Sequence, residues 1–240
     1  GETVADANGN YTILVHSCWA GTVMPSKPGY SFVPVKRAYS GPVLSDLADQ
    51  DYTAEKAGTY TSTGSEDGWV LEKTEASNTG GSLNAVAQTF LLGYDSVNRQ
   101  YKALLSFKTA DIPANALIKS AVLKIRQSGA PVGTNPFNTF DNLWVDMRKG
   151  SFGLATLQAS DFQVTTSTAK VGTFNKTPVN SWYSATLNAS GRANINRNGV
   201  TQFRLYFAKD DNNNLAADYL RFFSGNSATS RPTLLITYAL

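Results

Sequence analysis

Hydrophobic and polar residues alternate in short runs along most of this chain. In the run Ala121–Arg126, Lys124 and Arg126 alternate with Leu123 and Ile125. A period of two is typical of a β-strand with one face in a core and the other in water. Gly, Asn, Ser, Pro and Thr separate the runs, as turns require. The pattern predicts an all-β chain with strands near Tyr11–Val15, Tyr101–Phe107, Ala121–Arg126, Leu143–Met147, Trp182–Leu187, Phe203–Phe207 and Leu234–Tyr238.

Helix is predicted in only two short stretches. Ser190 can cap a short helix within Ala189–Arg197, and Leu154–Phe162 can hold a single turn. From the alternation we expect ten side chains to lie mainly on buried faces: Leu104, Phe107, Val122, Ile125, Trp144, Leu205, Phe207, Leu220, Leu235 and Tyr238.

A change in composition divides the chain. The stretch Glu55–Gly68 is rich in Thr, Ser, Gly and Glu and has few apolar residues, which is typical of a linker or an exposed loop. We therefore predict a small β-sandwich over residues 1–54, a linker or loop over 55–67, and a larger antiparallel β-sandwich over 68–240. Asn78–Asn84 is predicted to be a loop inside the larger part.

Composition and charge limit the classes of function. The chain has 240 residues, of which 42% are hydrophobic and 16% charged, and its 21 basic and 18 acidic residues leave a net charge of +3. So slight an excess argues against a nucleic-acid-binding protein. No apolar run is long enough to span a membrane. We expect a mature soluble protein.

The scarcity of Cys and His limits the chemistry further. Cys18 and His16 are the single residues of their types, so the sequence lacks a disulfide framework and a zinc site of Cys and His ligands. It also lacks the means for most His-dependent catalysis. The adjacent acids of Asp210–Asp218 do not offer the two opposed carboxylates of a glycosidase. We expect a protein that is not an enzyme.

The N-terminal part carries several short motifs in a recognisable order. They are the turn Asp6–Tyr11, then Trp19–Val23, Pro25–Phe32, Arg37–Tyr39 and Gln50–Ala54. This order resembles the carboxypeptidase-regulatory-like (prealbumin-like) β-sandwich modules of bacterial secreted proteins. The resemblance covers residues 1–54 and implies a spacer or structural module.

One feature of that family is missing from this sequence. Such modules normally open with a β-hairpin before the Asp-x-Asn-Gly turn, and only a few residues precede Asp6 here. A sandwich without two strands would leave its core open to water. We therefore expect five side chains to need cover from a strand supplied by another subunit or by a fragment of the same precursor: Ile13, Val15, Val23, Tyr30 and Phe32. The alternative is a chain shortened by trimming or proteolysis.

The C-terminal part resembles a second family. The motifs that carry the resemblance are Lys102–Phe107, Ile112–Ala116, Ile118–Leu123, Thr201–Phe207, Asp210–Asn214, Asp218–Gly225 and Arg231–Tyr238. Together they are similar to the DNRLRE-type β-sandwich, a jelly-roll-like module related to carbohydrate-binding modules. The resemblance covers about residues 86–240. It implies a secreted module that is joined to other surface domains and binds polysaccharide.

The densest group of oxygen ligands is a candidate calcium site. Asp210, Asp211, Asn213 and Asp218 could supply carboxylate and amide oxygens, which calcium prefers. Their spacing does not match an EF-hand loop. The alternative is a polar turn that Asx hydrogen bonds stabilise.

Aromatic residues and the single thiol leave further alternatives open. Flat aromatic side chains can stack on sugars, but a β-sandwich core uses aromatics in the same alternating pattern. For Trp144 and Trp182 the sequence favours the core over a sugar-binding platform. Cys18 and His16 are two residues apart on a predicted strand, and Cys18 is expected to pack as a small apolar group. An intermolecular disulfide is the alternative for Cys18.

These observations predict a protein of the cell surface or extracellular matrix. We expect a structural or adhesive subunit that forms a homo-oligomer or polymer through its 1–54 module, by inter-subunit strand complementation. The alternative is a carbohydrate-binding module that tethers an extracellular protein to polysaccharide. Neither function involves nucleic acid or insertion into a membrane.

Overall fold

The chain divides into two compact units. The computed structural model describes residues 1–209 and 211–240. The small unit comprises Gly1–Lys56 with Ala239–Leu240, and the large unit comprises Ala57–Tyr238. The boundary lies two residues beyond the predicted end of the first module, within a β-strand.

The small unit contains two separate pairs of strands. Its strands are β1 (Trp19–Val23), β2 (Ser31–Val33), β3 (Arg37–Val43) and the first residues of β4 (Thr53–Thr61). β1 and β3 form a two-stranded antiparallel sheet, in which Gly21 lies opposite Tyr39. β2 pairs antiparallel with the beginning of β4, and Phe32 lies opposite Ala54.

Most regular elements of the large unit are strands. After the end of β4 they are β5 (Gly68–Glu72), β6 (Gly80–Asn84), β7 (Thr89–Tyr94), β8 (Gln100–Lys108), β9 (Leu117–Arg126), β10 (Leu143–Lys149), β11 (Thr168–Thr173), β12 (Trp182–Thr186), β13 (Val200–Phe207), β14 (Asp218–Phe223) and β15 (Thr233–Ala239). The short helical segments are α1 (Pro136–Thr139), α2 (Ala189–Ala193) and the 3₁₀ turns Gly64–Glu66 and Ala159–Phe162. In the described part of the chain, no helix is long and apolar enough to cross a membrane.

These strands form two sheets. The larger has eight strands in the order β11-β10-β13-β8-β5-β6, with β7 pairing to both β8 and β14. In the other sheet, the order of the strands of the large unit is β12-β9-β15-β4. The pairings given by register are antiparallel, such as β10 with β13 and β9 with β12. The prediction of an all-β, antiparallel fold is confirmed.

The core lies between the two sheets and follows from the alternation along the strands. Leu123 and Ile125 of β9 and Ile236 of β15 belong to the same buried cluster as Phe107 of β8 and Leu205 of β13. Strand side chains alternate between faces, so every second residue of each strand points inward. Two sheets that bury their facing side chains in this way form a β-sandwich.

Seven of the ten predicted buried residues are buried: Leu104, Phe107, Ile125, Leu205, Phe207, Leu220 and Tyr238. Val122 is half-buried and Leu235 is 36% exposed, so both predictions are wrong. Val122 is three residues from Ile125, and Leu235 is three from Tyr238. Side chains an odd number of residues apart on a regular strand point to opposite faces, which places Val122 and Leu235 outside.

Trp144 also points away from the core, contrary to the prediction. Its neighbours Leu143 and Val145 are fully buried on the inner face of β10. Trp144 is half-buried on the outer face, opposite Tyr206 of β13. The size of the indole suggested the core, but the parity of the strand decides its position.

Part of the outer face of the large sheet has a cover of its own. Leu104 of β8 and Val70 of β5 pack there against Phe152, Leu157 and Phe162, which precede or lie in the second 3₁₀ turn. Leu104 and its neighbour Leu105 are therefore both buried, although they point to opposite faces. Because residues 150–164 cover the outer face, residues on both faces of β8 are buried, and the alternation of the sequence does not predict which of them are.

Three predictions of local structure differ from the fold. The predicted strand Tyr11–Val15 is not a strand, because no neighbouring strand in the described residues pairs with it. Residues 55–67 were expected to be a linker or loop, but they form most of β4 and a 3₁₀ turn, and Asp67 is fully buried. The predicted loop Asn78–Asn84 contains β6, which pairs with β5. Cross-strand hydrogen bonds override a polar composition in the last two stretches.

The predicted helices are present but shorter or differently capped. α2 begins at Ala189, as expected, and ends at Ala193. Its cap is Asn188, whose side chain accepts a hydrogen bond from the Gly191 backbone N–H at 2.9 Å, rather than Ser190. The single turn expected within Leu154–Phe162 is the 3₁₀ turn Ala159–Phe162.

Candidate functional site

None of residues 1–56, which make up almost all of the small unit, has a buried side chain. Residues 1–56 all lie within the described part of the chain, and each of them is half-buried or exposed. In the large unit, by contrast, Phe107 and Leu205 have no exposed surface. Buried apolar area is the main force that holds a folded domain together. The small unit therefore has strands and turns but no enclosed core.

Three large side chains of the small unit share one face of the β1–β3 sheet. Trp19, Val23 and Tyr39 are half-buried there, while Thr22, on the opposite face of β1, is exposed. The Trp19 indole lies across Gly21, where an added Cβ would come within 2.4 Å of a ring carbon. The Trp19 and Tyr39 ring centroids are 5.8 Å apart. These side chains therefore contact one another, but their face remains partly exposed to solvent.

Tyrosine hydroxyls hold the loop around Gln50 against this face. The Tyr52 hydroxyl donates a hydrogen bond to the Val23 carbonyl at 3.0 Å, and the Tyr39 hydroxyl donates to Gln50 Oε1 at 2.9 Å. The Tyr11 hydroxyl donates to the Gln50 carbonyl. Partial burial raises the pKa values of Tyr11 and Tyr52. These polar contacts fix the shape of the unit in place of a core.

The five side chains predicted to need cover all lie in this unit and are incompletely covered. Ile13, Val23, Tyr30 and Phe32 are half-buried, and Val15 is 38% exposed. The structure does not unite them in one cluster: Val23 lies on the β1–β3 sheet, while Tyr30 and Phe32 lie on or beside β2. The predicted need for cover therefore concerns two places in the small unit.

At the second of these places, an apolar cleft lies beside β2. It has a volume of about 450 Å³, and Met24, Pro25, Phe32 and Val35 supply its apolar walls. Met24 is 67% exposed and Val35 is 69% exposed. β2 pairs with β4 along one edge, and no described strand pairs with its other edge. We call the cleft and the free edge of β2 together the β2 acceptor.

Sequence analysis missed the β2 acceptor, although one signal for it was present. Pro28 and Pro34 bracket Gly29–Val33. Proline has no N–H to donate to a ladder, so it is typical of edge strands rather than of the middle of a sheet. The exposure of Met24 and Val35 could not be known without the fold.

The segment Tyr11–Val15 is a second unpaired stretch of main chain. It lies outside every strand, and no backbone hydrogen bond joins Thr12–Val15 to the part of the chain that the structure describes. Leu14 is 89% exposed. The turn before it is well ordered, because Asp6 Oδ1 accepts hydrogen bonds from the backbone N–H groups of Asn8 and Asn10 at 2.8 and 2.9 Å.

Cys18 and His16 do not form a dyad. Both are exposed and lie in a turn before β1, where the Trp19 N–H donates to the His16 carbonyl at 3.1 Å. The Cys18 thiol is 3.7 Å from the Ser17 hydroxyl. The prediction that Cys18 packs as a small apolar group is wrong, since the turn directs it into water. The intermolecular disulfide stays a hypothesis.

The residues of the predicted calcium site are only partly brought together. Asp210 lies outside the described residues. Asp211 Oδ1 accepts a hydrogen bond from the Asn213 backbone N–H at 2.6 Å, which is an Asx turn. Among residues 1–209 and 211–240, no three His, Cys, Asp or Glu side chains are grouped to hold a metal ion.

Asp218 is the buried member of that predicted site, and both of its oxygens have partners. Oδ1 accepts from the Thr134 backbone N–H at 2.6 Å. Oδ2 accepts from the side-chain amides of Asn212 and Asn214, each at 3.2 Å. Three N–H donors therefore satisfy this carboxylate without an ion. The calcium site stays a prediction.

The large unit has a polar cleft of about 540 Å³, whose lining includes Thr59, Lys108, Gly225, Asn226 and Arg231. Gly225 also donates its N–H to Asp67 Oδ2 at 3.1 Å, and Asp67 is fully buried. Burial raises the pKa of Asp67 to about 7, although its hydrogen bonds act in the opposite direction. Because no oxygen of Asp67 is exposed, this carboxyl group joins strands and loops rather than contacting a ligand.

Two outward-facing tryptophans of the large unit lie on different sheets, Trp144 on β10 and Trp182 on β12. Lys170 Nζ is 3.6 Å from the centroid of the Trp144 ring, and Lys124 Nζ is 5.5 Å from that of Trp182. Trp182 is half-buried, so the prediction that it belongs to the core is wrong, as it is for Trp144. Tyr183, its neighbour on β12, takes the inward position. Both half-buried indoles thus have a lysine ammonium group near the ring.

No known family model matches this chain, and no curated protein matches it either.

Proposed function

We propose that this protein is a non-catalytic structural or adhesive subunit of a cell surface or extracellular matrix, which self-associates through strand complementation of its small unit. The observation that carries the proposal is that none of residues 1–56, all of them described, is buried. Ordering each residue costs about 1–2 kcal/mol of conformational entropy. Burial of apolar surface normally offsets that cost, at about 25 cal/mol per Å².

Strand complementation offsets the cost because it supplies what the small unit lacks. A strand from another subunit would pair with free main chain, and its alternating side chains would cover the half-buried face around Val23 and Tyr39. If the donor and acceptor surfaces differ, each copy can accept one neighbour and donate to the next. Such a head-to-tail contact that does not close produces a filament.

The location rests on the two resemblances. Both the prealbumin-like motifs of residues 1–54 and the DNRLRE-like motifs of residues 86–240 are similar to modules of secreted bacterial proteins. A catalytic role has little support in the chain, since Cys18 and His16 are both exposed in a turn. The large unit, with its enclosed core, would be the rigid body that the assembly displays.

The test is assembly as a function of concentration. We expect the wild-type chain to form polymers, measured by light scattering after size exclusion and by negative-stain microscopy. Val23→Asp places a charge on the half-buried face of β1 and should abolish assembly. Thr22→Asp is the matched control, because Thr22 is the adjacent residue on the exposed face. A wild-type chain that stays monomeric at every concentration would refute the proposal, and so would equal assembly by both variants.

A second candidate function is carbohydrate binding by the large unit. The observation that favours it is the outward position of Trp144 and Trp182, since aromatic rings near the surface can stack on sugars. Trp182→Ala should then abolish retention of the chain on insoluble polysaccharide. Phe107→Leu is a control in the core, and it should alter stability without affecting retention. Equal retention by Trp182→Ala and the wild type would exclude this indole as a platform.

A further inference from the structure

The β2 acceptor combines three features that an incoming strand requires. Its main-chain edge is free in the described structure, an apolar cleft lies beside it, and Met24 and Val35 in that cleft are more than half exposed. A strand that adds to a free edge gains main-chain hydrogen bonds along its length. If a cleft lies next to that edge, one apolar side chain of the added strand can be buried in it, which adds to the binding free energy.

The segment Tyr11–Val15 has the complementary features. Its main chain is unpaired, and its β-branched and aromatic residues favour an extended conformation. Tyr11 and Ile13 are half-buried on their own unit, while Leu14, on the opposite side, is 89% exposed. One copy therefore presents a large apolar side chain outward on a strand that lacks a partner.

The chain before the donor segment and the surroundings of the acceptor carry charges of opposite sign. Residues 1–26 carry Glu2 and Asp6 and neither Lys nor Arg. Near the acceptor, Lys27 Nζ and Lys56 Nζ lie 4.6 and 5.8 Å from the centroid of the Tyr30 ring. Lys36 follows Val35 directly, and Glu55 is the acid opposite β2 on β4. The donor segment Tyr11–Val15 is itself uncharged and follows two acids, so its approach to a basic acceptor meets no like charge.

We infer that Tyr11–Val15 of one copy pairs with the free edge of β2 in a second copy and inserts Leu14 into the cleft between Met24, Phe32 and Val35. This inference rests on the proposed function, for which it names one donor and one acceptor; the acceptor is at the second of the two places that need cover, and the face around Val23 is the first. Pro28 and Pro34 confine the new hydrogen bonds to Gly29–Val33, because neither proline has an N–H. Only a few registers of the added strand fit on so short an edge. Leu14 is the large, exposed apolar side chain of the donor, so the register that places it in the cleft is favoured.

The test uses one donor variant and one acceptor variant of the full chain. Leu14→Asp should remove the donor, and Val35→Asp should remove the acceptor. Each should raise the concentration for half-assembly by about thirtyfold or more, the loss expected for a central apolar anchor. The matched controls are Val4→Asp, which is 91% exposed in the wild type, and Val97→Asp, which is 49% exposed in the large unit. Both controls should assemble like the wild type.

Mixing the two defective variants separates a specific joint from damage to the fold. The Leu14→Asp chain keeps its acceptor and the Val35→Asp chain keeps its donor, so the mixture should give a 1:1 dimer that does not grow. A peptide of residues 10–17 should bind the Leu14→Asp chain but not the Val35→Asp chain. Failure to form the dimer and to bind the peptide would overturn the inference, even if both variants fail to assemble.

The outcomes also distinguish this inference from the proposed function. If the wild type polymerises and Val23→Asp prevents it, while Leu14→Asp and Val35→Asp assemble normally, only this donor and acceptor are wrong. If the wild type is monomeric at every concentration, the proposed function and the inference are both overturned. A segment that pairs with β2 of its own chain would give concentration-independent behaviour and no mixed dimer, which also overturns the inference.

Discussion

Asp146 of β10 and Arg204 of β13 lie directly opposite each other in register and form a buried ion pair, with Arg204 Nη2 3.0 Å from Asp146 Oδ2. Arg204 Nη1 also donates to the carbonyl oxygens of Asp161 at 3.0 Å and Val164 at 2.8 Å. The pair therefore joins two strands to the segment 150–164 that covers the outer face of the large sheet. Asp146 Oδ1 in addition accepts a hydrogen bond from the Tyr206 hydroxyl at 3.2 Å.

Removal of Asp146 should destabilise the large unit strongly. Asp146→Ala leaves the Arg204 guanidinium buried without its counter-charge, which typically costs about 3–5 kcal/mol. We expect a loss of that size in the free energy of unfolding, measured by urea denaturation. Lys176→Ala is the control, because Lys176 forms an exposed pair with Asp141 at 3.4 Å. Its loss should be about 1 kcal/mol or less.

A double substitution checks the cause of that loss. Replacing both partners, with Asp146→Leu and Arg204→Met, removes both buried charges and should recover part of the stability lost in Asp146→Ala. The covering segment would still lose the bonds from Arg204 to its carbonyl groups. A double variant less stable than Asp146→Ala would show that these bonds outweigh the charge left alone.

The fold class could be predicted because alternation with a period of two is a local property of strands. The inward positions of Leu123 and Ile125 follow from the polar residues between them. Burial of both Leu104 and Leu105 could not be predicted, since it depends on a covering segment about fifty residues away in sequence. Side-chain size was a poor guide for Trp144, which the parity of its strand places outside.

The candidate site was less predictable from sequence than the fold. The expectation that Ile13, Val15, Val23, Tyr30 and Phe32 need cover from another strand stays a prediction, and all five are half-buried or exposed in the structure. The β2 acceptor was not foreseen. Its edge depends on which strands pair with β2, and its cleft depends on residues up to eleven positions apart, so neither feature has a local signature.

The stability of the large unit should fall as pH rises towards neutrality. Burial raises the folded-state pKa of Asp67 from 3.8 to about 7, so the folded state holds this proton more tightly than the unfolded state. Stability is then highest below the unfolded pKa and decreases as pH rises through 4 to 7. Melting curves at pH 5, 6, 7 and 8 should show this decrease. A variant that differs only at Asp67 keeps all the other titratable groups and therefore isolates its contribution.

Asp67→Asn provides that comparison, because an amide does not titrate. Its melting temperature should depend less on pH between 6 and 8 than that of the wild type. Asp161 has a pKa that burial raises to about 6, so it contributes mainly below this window. Equal pH dependence in Asp67→Asn and the wild type would mean that Asp67 does not titrate in this range.

The loop around Asp218 should be insensitive to chelation. Three N–H groups already donate to this carboxylate, so we expect no change in melting temperature with EDTA or with added calcium. Asp218→Ala should lower the melting temperature, because it leaves the Thr134 N–H without its acceptor. A rise with calcium that EDTA reverses would contradict this expectation and support the calcium site predicted from the sequence.

Hydrogen exchange should report whether the small unit acquires a core by assembly. All side chains of β1 and β2 are half-buried or exposed. Local opening of these strands should therefore cost little free energy in a dilute monomer, and their amides should exchange readily. Amides of β13 lie between β10 and β8 above a buried cluster and should stay protected at every concentration. Exchange followed by mass spectrometry resolves peptides from these strands in the intact chain.

The expected result is a protection of β1 and β2 that depends on concentration. Dilute wild-type protein should exchange these amides within seconds to minutes, and assembled protein should exchange them at least about tenfold more slowly. Val23→Asp should remain in the fast regime at both concentrations, while Thr22→Asp should follow the wild type. Slow exchange of β1 in a dilute monomer would mean that the half-buried side chains of residues 1–56 are sufficient to hold the small unit closed, and strand donation would then have no energetic reason.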